Sequence, residues 1–244
     1  MEKSAIHYLP LATTVISAVF AWVILHRYKI KHSGPHLLWW GFGVLIYGAG
    51  TAFEGGITLF GNSVWATKGW YIVGALLGGY PLATGSLYML TPRRYANLLT
   101  WISLPFIFIL SVLVIISPAN LAALEPHKPG GDVLGWQWIR WFSPVVNTYA
   151  AIFLIGFAIR SAIQFARRRR NFNRMVGNTL IAIGAILPGI GGGMAKGGIV
   201  EALYVGEFIG IILIWLGFRW CQKPVVLEVQ ESSELASMEN SLLI

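Results

Sequence analysis

Apolar residues fill this chain in seven long stretches, each closed by a short polar or basic connection. A helix needs about 20 apolar residues to cross the hydrocarbon of a bilayer. On that length the sequence predicts seven spanning helices, at about 8–26, 37–60, 66–90, 97–117, 143–166, 176–195 and 200–220. The expected fold is an all-α integral membrane bundle, with residues 1–223 as a single transmembrane domain and 224–244 as a short acidic cytoplasmic tail. The apolar run from Tyr8 to Leu25 follows a lead carrying one lysine and one glutamate and precedes basic residues. It reads as an uncleaved first span, not a signal peptide.

The basic residues give the bundle a direction. Arg27, Lys29 and Lys31 lie in the first loop, Arg93 and Arg94 in the third, Arg167 to Arg170 and Arg174 in the fifth, and Arg219 and Lys223 at the start of the tail. That is twelve on one side against five on the other: Lys3, Lys68, Lys128, Arg140 and Lys196. Lys and Arg gather in cytoplasmic loops, so the N-terminus is expected outside and the C-terminus in the cytoplasm. Arg160, near the basic end of the fifth span, is expected to snorkel. The acids agree, because none of them falls in the three basic loops. Trp136, Trp138 and Trp141 mark the connection 118–142 as an interfacial segment or lid on the outer surface.

Composition narrows the classes. Hydrophobic residues make up 56% of the 244 positions and charged residues 11%, against roughly 25% charged in soluble domains. The chain is expected in the plasma or inner membrane as a multi-pass protein with lipids as neighbours. The net charge of +8 does not point to nucleic acid, since the cations sit in loops. The Arg167–Arg170 run suits anionic headgroups, although topology is the commoner reason for such a run. One cysteine, Cys221, excludes an internal disulfide.

Two glutamates lie inside spans, where charge is costly and marks a candidate site. At about 1.5 Å rise per residue, Glu54 on the second helix and Glu207 on the seventh both sit roughly 10 Å below the outer boundary. In a ring closed in chain order, both helices flank the first, so the carboxyls can face one cavity. Tyr47, Thr51 and Glu54 share a helix face, as do Tyr204 and Glu207. Lys68 and Tyr71 on the third helix and Asn147 on the fifth enter at the same level, with Lys196 and Glu201 at the mouth. An isolated ionised carboxylate in lipid would neutralise, so each acid should be protonated, lysine-paired or facing water.

The glycine-rich stretch from Leu187 to Glu207 is expected to be a hairpin between the last two spans. Ala202, Gly206 and Gly210 form a small-residue ladder for close packing, and Gly189, Gly193 and Gly197 suit the same use on the sixth helix. The alternative is a break after Pro188 that exposes backbone to a ligand. Gly78-Gly79-Tyr80-Pro81 suggests a comparable break in the third span. Nucleotide motifs fail here: the third glycine of a dinucleotide fingerprint is missing, and Lys196 lacks the flanking Gly and Ser/Thr of a phosphate loop. His32 and His36 are separated by Gly34-Pro35, which argues against a metal pair. No cofactor is implied. The seventh span has no lysine, against a retinal Schiff base of the microbial-opsin kind.

With an acid in the second span and another in the seventh, the chain resembles in architecture the membrane-bound terpene cyclases of meroterpenoid pathways. The likeness is of size, span count and acid placement, not of local sequence. It implies an enzyme with Glu54 and Glu207 as catalytic acids. Three functions stay open. One is a receptor, sensor or complex subunit with an outward polar pocket, read by a protein partner at the cytoplasmic face or within the bilayer. The second is a lipid- or isoprenoid-modifying enzyme. The third is a proton- or ion-coupled transporter using the acids as a relay.

Overall fold

The computed structural model describes residues 5–31, 34–168 and 171–223. The acidic tail, Lys3, His32, Arg169 and Arg170 lie outside the described residues. Seven helices are long and apolar enough to cross a membrane: α1 Ala5–Ile30, α2 Pro35–Phe60, α3 Val64–Leu90, α4 Arg93–Ile116, α5 Gln137–Arg167, α6 Phe172–Lys196 and α7 Val200–Cys221. Each coincides with an expected span to within four residues at either end, except that α5 begins at Gln137, ahead of the expected 143. The differences fall at polar ends, where a helix continues past its apolar run. Asn171 caps α6 by accepting from the Arg174 N–H at 3.1 Å. Ser63 does the same for α3 through Ala66, also at 3.1 Å.

The helices do not close strictly in chain order. α1 lies between α2 and α7, α3 packs on α2 and α5, and α6 joins α5 to α7. α4 stays outside this ring, against α3 and the start of α5. Its sequence explains why: only Ala96, Thr100, Ile107, Leu110 and Val114 are buried, a single stripe at helical spacing, while Trp101 and Phe108 stand exposed.

Close glycine contacts set the register of the antiparallel pairs. A Cβ on Gly184 would stand 2.7 Å from the Gly210 carbonyl, and one on Gly177 would stand 2.8 Å from that of Gly217. Gly191 meets Ala202 and Leu203 one heptad further on. So α6 and α7 press backbone to backbone along a ladder repeating every seventh residue. The expected ladder on Gly189, Gly193 and Gly197 is thereby corrected. Gly189 and Gly193 have open space at their Cβ positions, and a Cβ on Gly197 would meet only the Met194 carbonyl, in its own last turn. Gly206 and Gly210 do belong to the contact, against Leu187, Pro188 and Gly184. α6 runs unbroken through Pro188, so the hairpin is a packed one.

α3 is irregular where its glycines are. A π-helical turn at Tyr71–Leu76 separates Val64–Trp70 from the α-helical Tyr80–Leu90. Such a turn loosens the backbone ladder, and the Asn147 amide donates to the freed Ala75 carbonyl at 3.2 Å. α5 has a second π turn at Ala151–Gly156. In the centre, Phe20, Ile24, Val44, Leu82, Ile211 and Ile214 form a continuous apolar core toward the basic end.

Gly184→Leu should lower the thermal midpoint in micelles by the equivalent of about 1–3 kcal/mol, through overpacking, whereas Gly193→Ala should leave it unmoved. Equal midpoints for both would remove the ladder as the organiser of the hairpin.

Candidate functional site

The acidic end of the ring is defined by the N-terminus of α1, the C-terminus of α2 and the N-termini of α3 and α7. All five acids among the described residues, Glu54, Glu125, Asp132, Glu201 and Glu207, lie in this half or in the connection above it. The opposite end carries Arg27, Arg93, Arg94, Arg174, Arg219 and Lys223.

Glycine contacts aim Glu54. α2 and α3 approach so closely at Gly50 and Gly74 that a Cβ on Gly50 would stand 3.2 Å from the Gly74 Cα. One turn outward on each helix are Glu54 and Trp70, which therefore oppose one another. The Trp70 indole N–H donates to Glu54 Oε1 at 2.7 Å. On the other flank, Gly55 receives Leu11 and Gly48 receives Ser17, seating α1 against α2. Thr14 and Thr51 meet there, hydroxyl to hydroxyl, at 2.9 Å.

Glu54 is only 1% exposed. Its side chain and that of Glu207 face each other across the seam between α2 and α7. One oxygen of each, Oε2, is buried with no hydrogen-bond partner. Neither carboxyl forms an ion pair among the described residues. Tyr47 ties the same seam by donating to the Glu207 backbone carbonyl at 2.8 Å. Tyr204, one turn before Glu207, is buried and is an electrostatic neighbour of both acids. Glu54, Glu207, Tyr47, Thr51 and Tyr204 are thus brought together.

The remaining candidates go elsewhere. Lys68, 5% exposed, donates to the Ile115 and Ser117 carbonyls at 2.8 and 2.6 Å. A cation on the last carbonyls of a helix meets the negative end of its dipole, so Lys68 clamps the C-terminal end of α4. Tyr71 shares a hydrogen bond with Ser143 at 2.7 Å, holding α3 to α5. Asn147 serves the π turn described above. Glu201 lies 3.8 Å from the His7 imidazole, not on Lys196, which is exposed. The connection 118–136 is strapped down by Asn62, which donates to the Glu125 and Lys128 carbonyls at 2.8 and 2.9 Å.

Sequence reasoning missed Trp70, Thr14 and His7 as members of this neighbourhood. Trp70 had a usable signal: it precedes Gly74 by one turn as Glu54 follows Gly50, an antiparallel match. His7, whose ring meets Tyr204 edge-on at 6.1 Å, had none, because it reads as a surface residue before the first span.

No protein-family model, no curated protein and no solved structure matches this chain.

The geometry ranks two substitutions. Trp70→Phe strands a buried carboxyl oxygen and should cost about 1–3 kcal/mol of stability. Tyr47→Phe removes a donor from a carbonyl in a helix interior and should cost about 1 kcal/mol or less. Thermal unfolding in micelles checks the order; a larger loss from Tyr47→Phe would mean that the indole contact holds little.

Proposed function

We propose that this chain is a membrane sensor whose responsive element is the Glu54–Glu207 pair, with a proton as the bound species. The observation that carries the reading is a pair of carboxyls facing one another with no cation beside them among the described residues. Two like charges at such range, out of water, repel strongly, so the stable arrangement holds a proton between them.

The mechanism follows from the packing. With the proton in place, one carboxyl donates to the other and α7 is held to α2. Loss of the proton leaves two anions in an apolar seam and drives α7 away from α2. Because α7 is locked to α6 along the glycine ladder, the two helices move as one body. That motion reaches the opposite end at Arg174 and Arg219. In the orientation expected from the basic residues, with the N-terminus outside, this end faces the cytoplasm. A protein partner there, or within the bilayer, would read the movement.

One observation supports a sensor over a transporter. The apolar core of Phe20, Ile24, Val44, Ile211 and Ile214 lies between the acids and the basic end, which disfavours a transport route.

Infrared spectroscopy of the reconstituted protein tests the pair. A protonated-carboxyl band should be present at neutral pH, vanish on alkaline titration and be missing from the double variant Glu54→Gln, Glu207→Gln. A band unchanged in the double variant, or none in the wild type, would overturn the proposal. The sign of the linked stability is fixed: raising the pH removes the shared proton and adds repulsion, so the wild type should lose thermal stability at alkaline pH. Glu207→Gln removes one charge and should flatten that profile. Superimposable profiles would count against a proton at this site.

A further inference from the structure

A cleft of about 100 Å³ opens between α3 and α5 at the basic end. Its lining is divided: Leu90 and Phe157 are apolar, while Arg160, Ser161 and Gln164 are polar. Among the described residues, none of those three polar side chains has a hydrogen-bond or ion-pair partner. This differs from neighbouring cations, since Arg27 donates to Gln222 and Arg174 lies over the Phe165 ring at 5.7 Å. Leu90 and Phe157 also belong to a second, narrower crevice that continues inward past Met89 and Leu154.

The level of the cleft decides what it can hold. Leu90 is the last residue of α3, where that helix leaves the apolar span, and Arg160 lies across from it. α5 is 31 residues long, about 46 Å at helical rise, so it overshoots a hydrocarbon core of roughly 30 Å. Arg160 therefore stands at headgroup height although it falls within the helix. A bound species here meets an unpaired guanidinium and two neutral hydrogen-bonding groups on one side. On the other it meets apolar side chains, continuous with the exposed Met89, Leu90, Ile159 and Ile163.

We infer that this cleft is a binding site for an anionic phospholipid. The phosphoryl group sits on Arg160, with Ser161 and Gln164 completing its hydrogen bonds, and the acyl chains lie along α3 and α5. Guanidinium recognises phosphate oxygens through paired N–H donors. The volume is small beside the roughly 300–1,000 Å³ of a drug-sized pocket, so it admits the phosphoryl region alone and leaves the chains in the bilayer. A soluble anion would gain nothing from the apolar walls, whereas a lipid uses both halves of the lining. Arg160 lies on α5 itself, seven residues before the start of the Arg167–Arg170 run. The site is independent of the carboxyl pair at the other end of the bundle.

Native mass spectrometry of the full chain from mixed micelles of phosphatidylglycerol and phosphatidylcholine tests this. The wild type should retain phosphatidylglycerol preferentially. Arg160→Gln should lower that retention about fivefold, the weight of one arginine against an anionic headgroup. Arg27→Gln removes the same charge elsewhere at the basic end and should leave retention within twofold of the wild type. Leu90→Trp, which fills the apolar wall without touching the charge, should reduce retention as well. Equal losses from Arg160→Gln and Arg27→Gln would overturn the site in favour of diffuse surface charge. Saturable binding of inorganic phosphate, abolished by Arg160→Gln, would overturn the lipid in favour of a soluble anion.

Discussion

Two carboxyls that face each other, with no cation beside them among the described residues, are the contact around which this end of the bundle is arranged. Removing a charge from water is expensive, and bringing a second like charge to it is more so. On the proposed reading, a proton shared by Glu54 and Glu207 adds to the protein groups that compensate them. The Trp70 indole supplies a donor on one side, and Tyr47 ties the backbone of Glu207 on the other. The positions of α2, α3 and α7 at the acidic end are therefore mutually dependent, and any of the three that shifts disturbs the acids.

Glycine makes that arrangement reachable. Carboxyl and indole meet because Gly50 and Gly74 let α2 and α3 approach one turn away, and α1 is seated by Gly48 and Gly55. Without a hydrophobic driving force between helices in lipid, such close contact is what holds them. The same device locks α6 to α7 through Gly177, Gly184, Gly191, Gly210 and Gly217. On the proposed reading, such locked pairs would move as bodies when the charge at the seam changes. Lys68 plays a different part. Its charge is satisfied by helix carbonyls and is not spent on the carboxyl pair.

Much of this was legible in the residue order. Seven apolar stretches of spanning length can be little else, because a backbone in lipid must satisfy its own hydrogen bonds and helices do so alone. Their number and approximate limits follow from one-dimensional information, as does the segregation of basic residues to one end. The matched depth of Glu54 and Glu207 also follows, since rise per residue converts position into height. The break in α3 was legible too, because Pro81 lacks an N–H and the preceding glycines hold no helix firmly.

Which faces meet was beyond it. Depth says nothing of azimuth, so Lys68, level with the acids by count, turns instead to the end of α4, and Glu201 turns to His7. The ladder on α6 was expected on Gly189, Gly193 and Gly197, yet it uses Gly177, Gly184 and Gly191. Both sets have helical spacing, and the choice between them depends on how α7 is rotated. The exclusion of α4 from the ring, and the opposition of Trp70 to Glu54, were likewise decided in three dimensions. Periodicity along a helix determines which residues share a face; only packing against a partner determines where that face points.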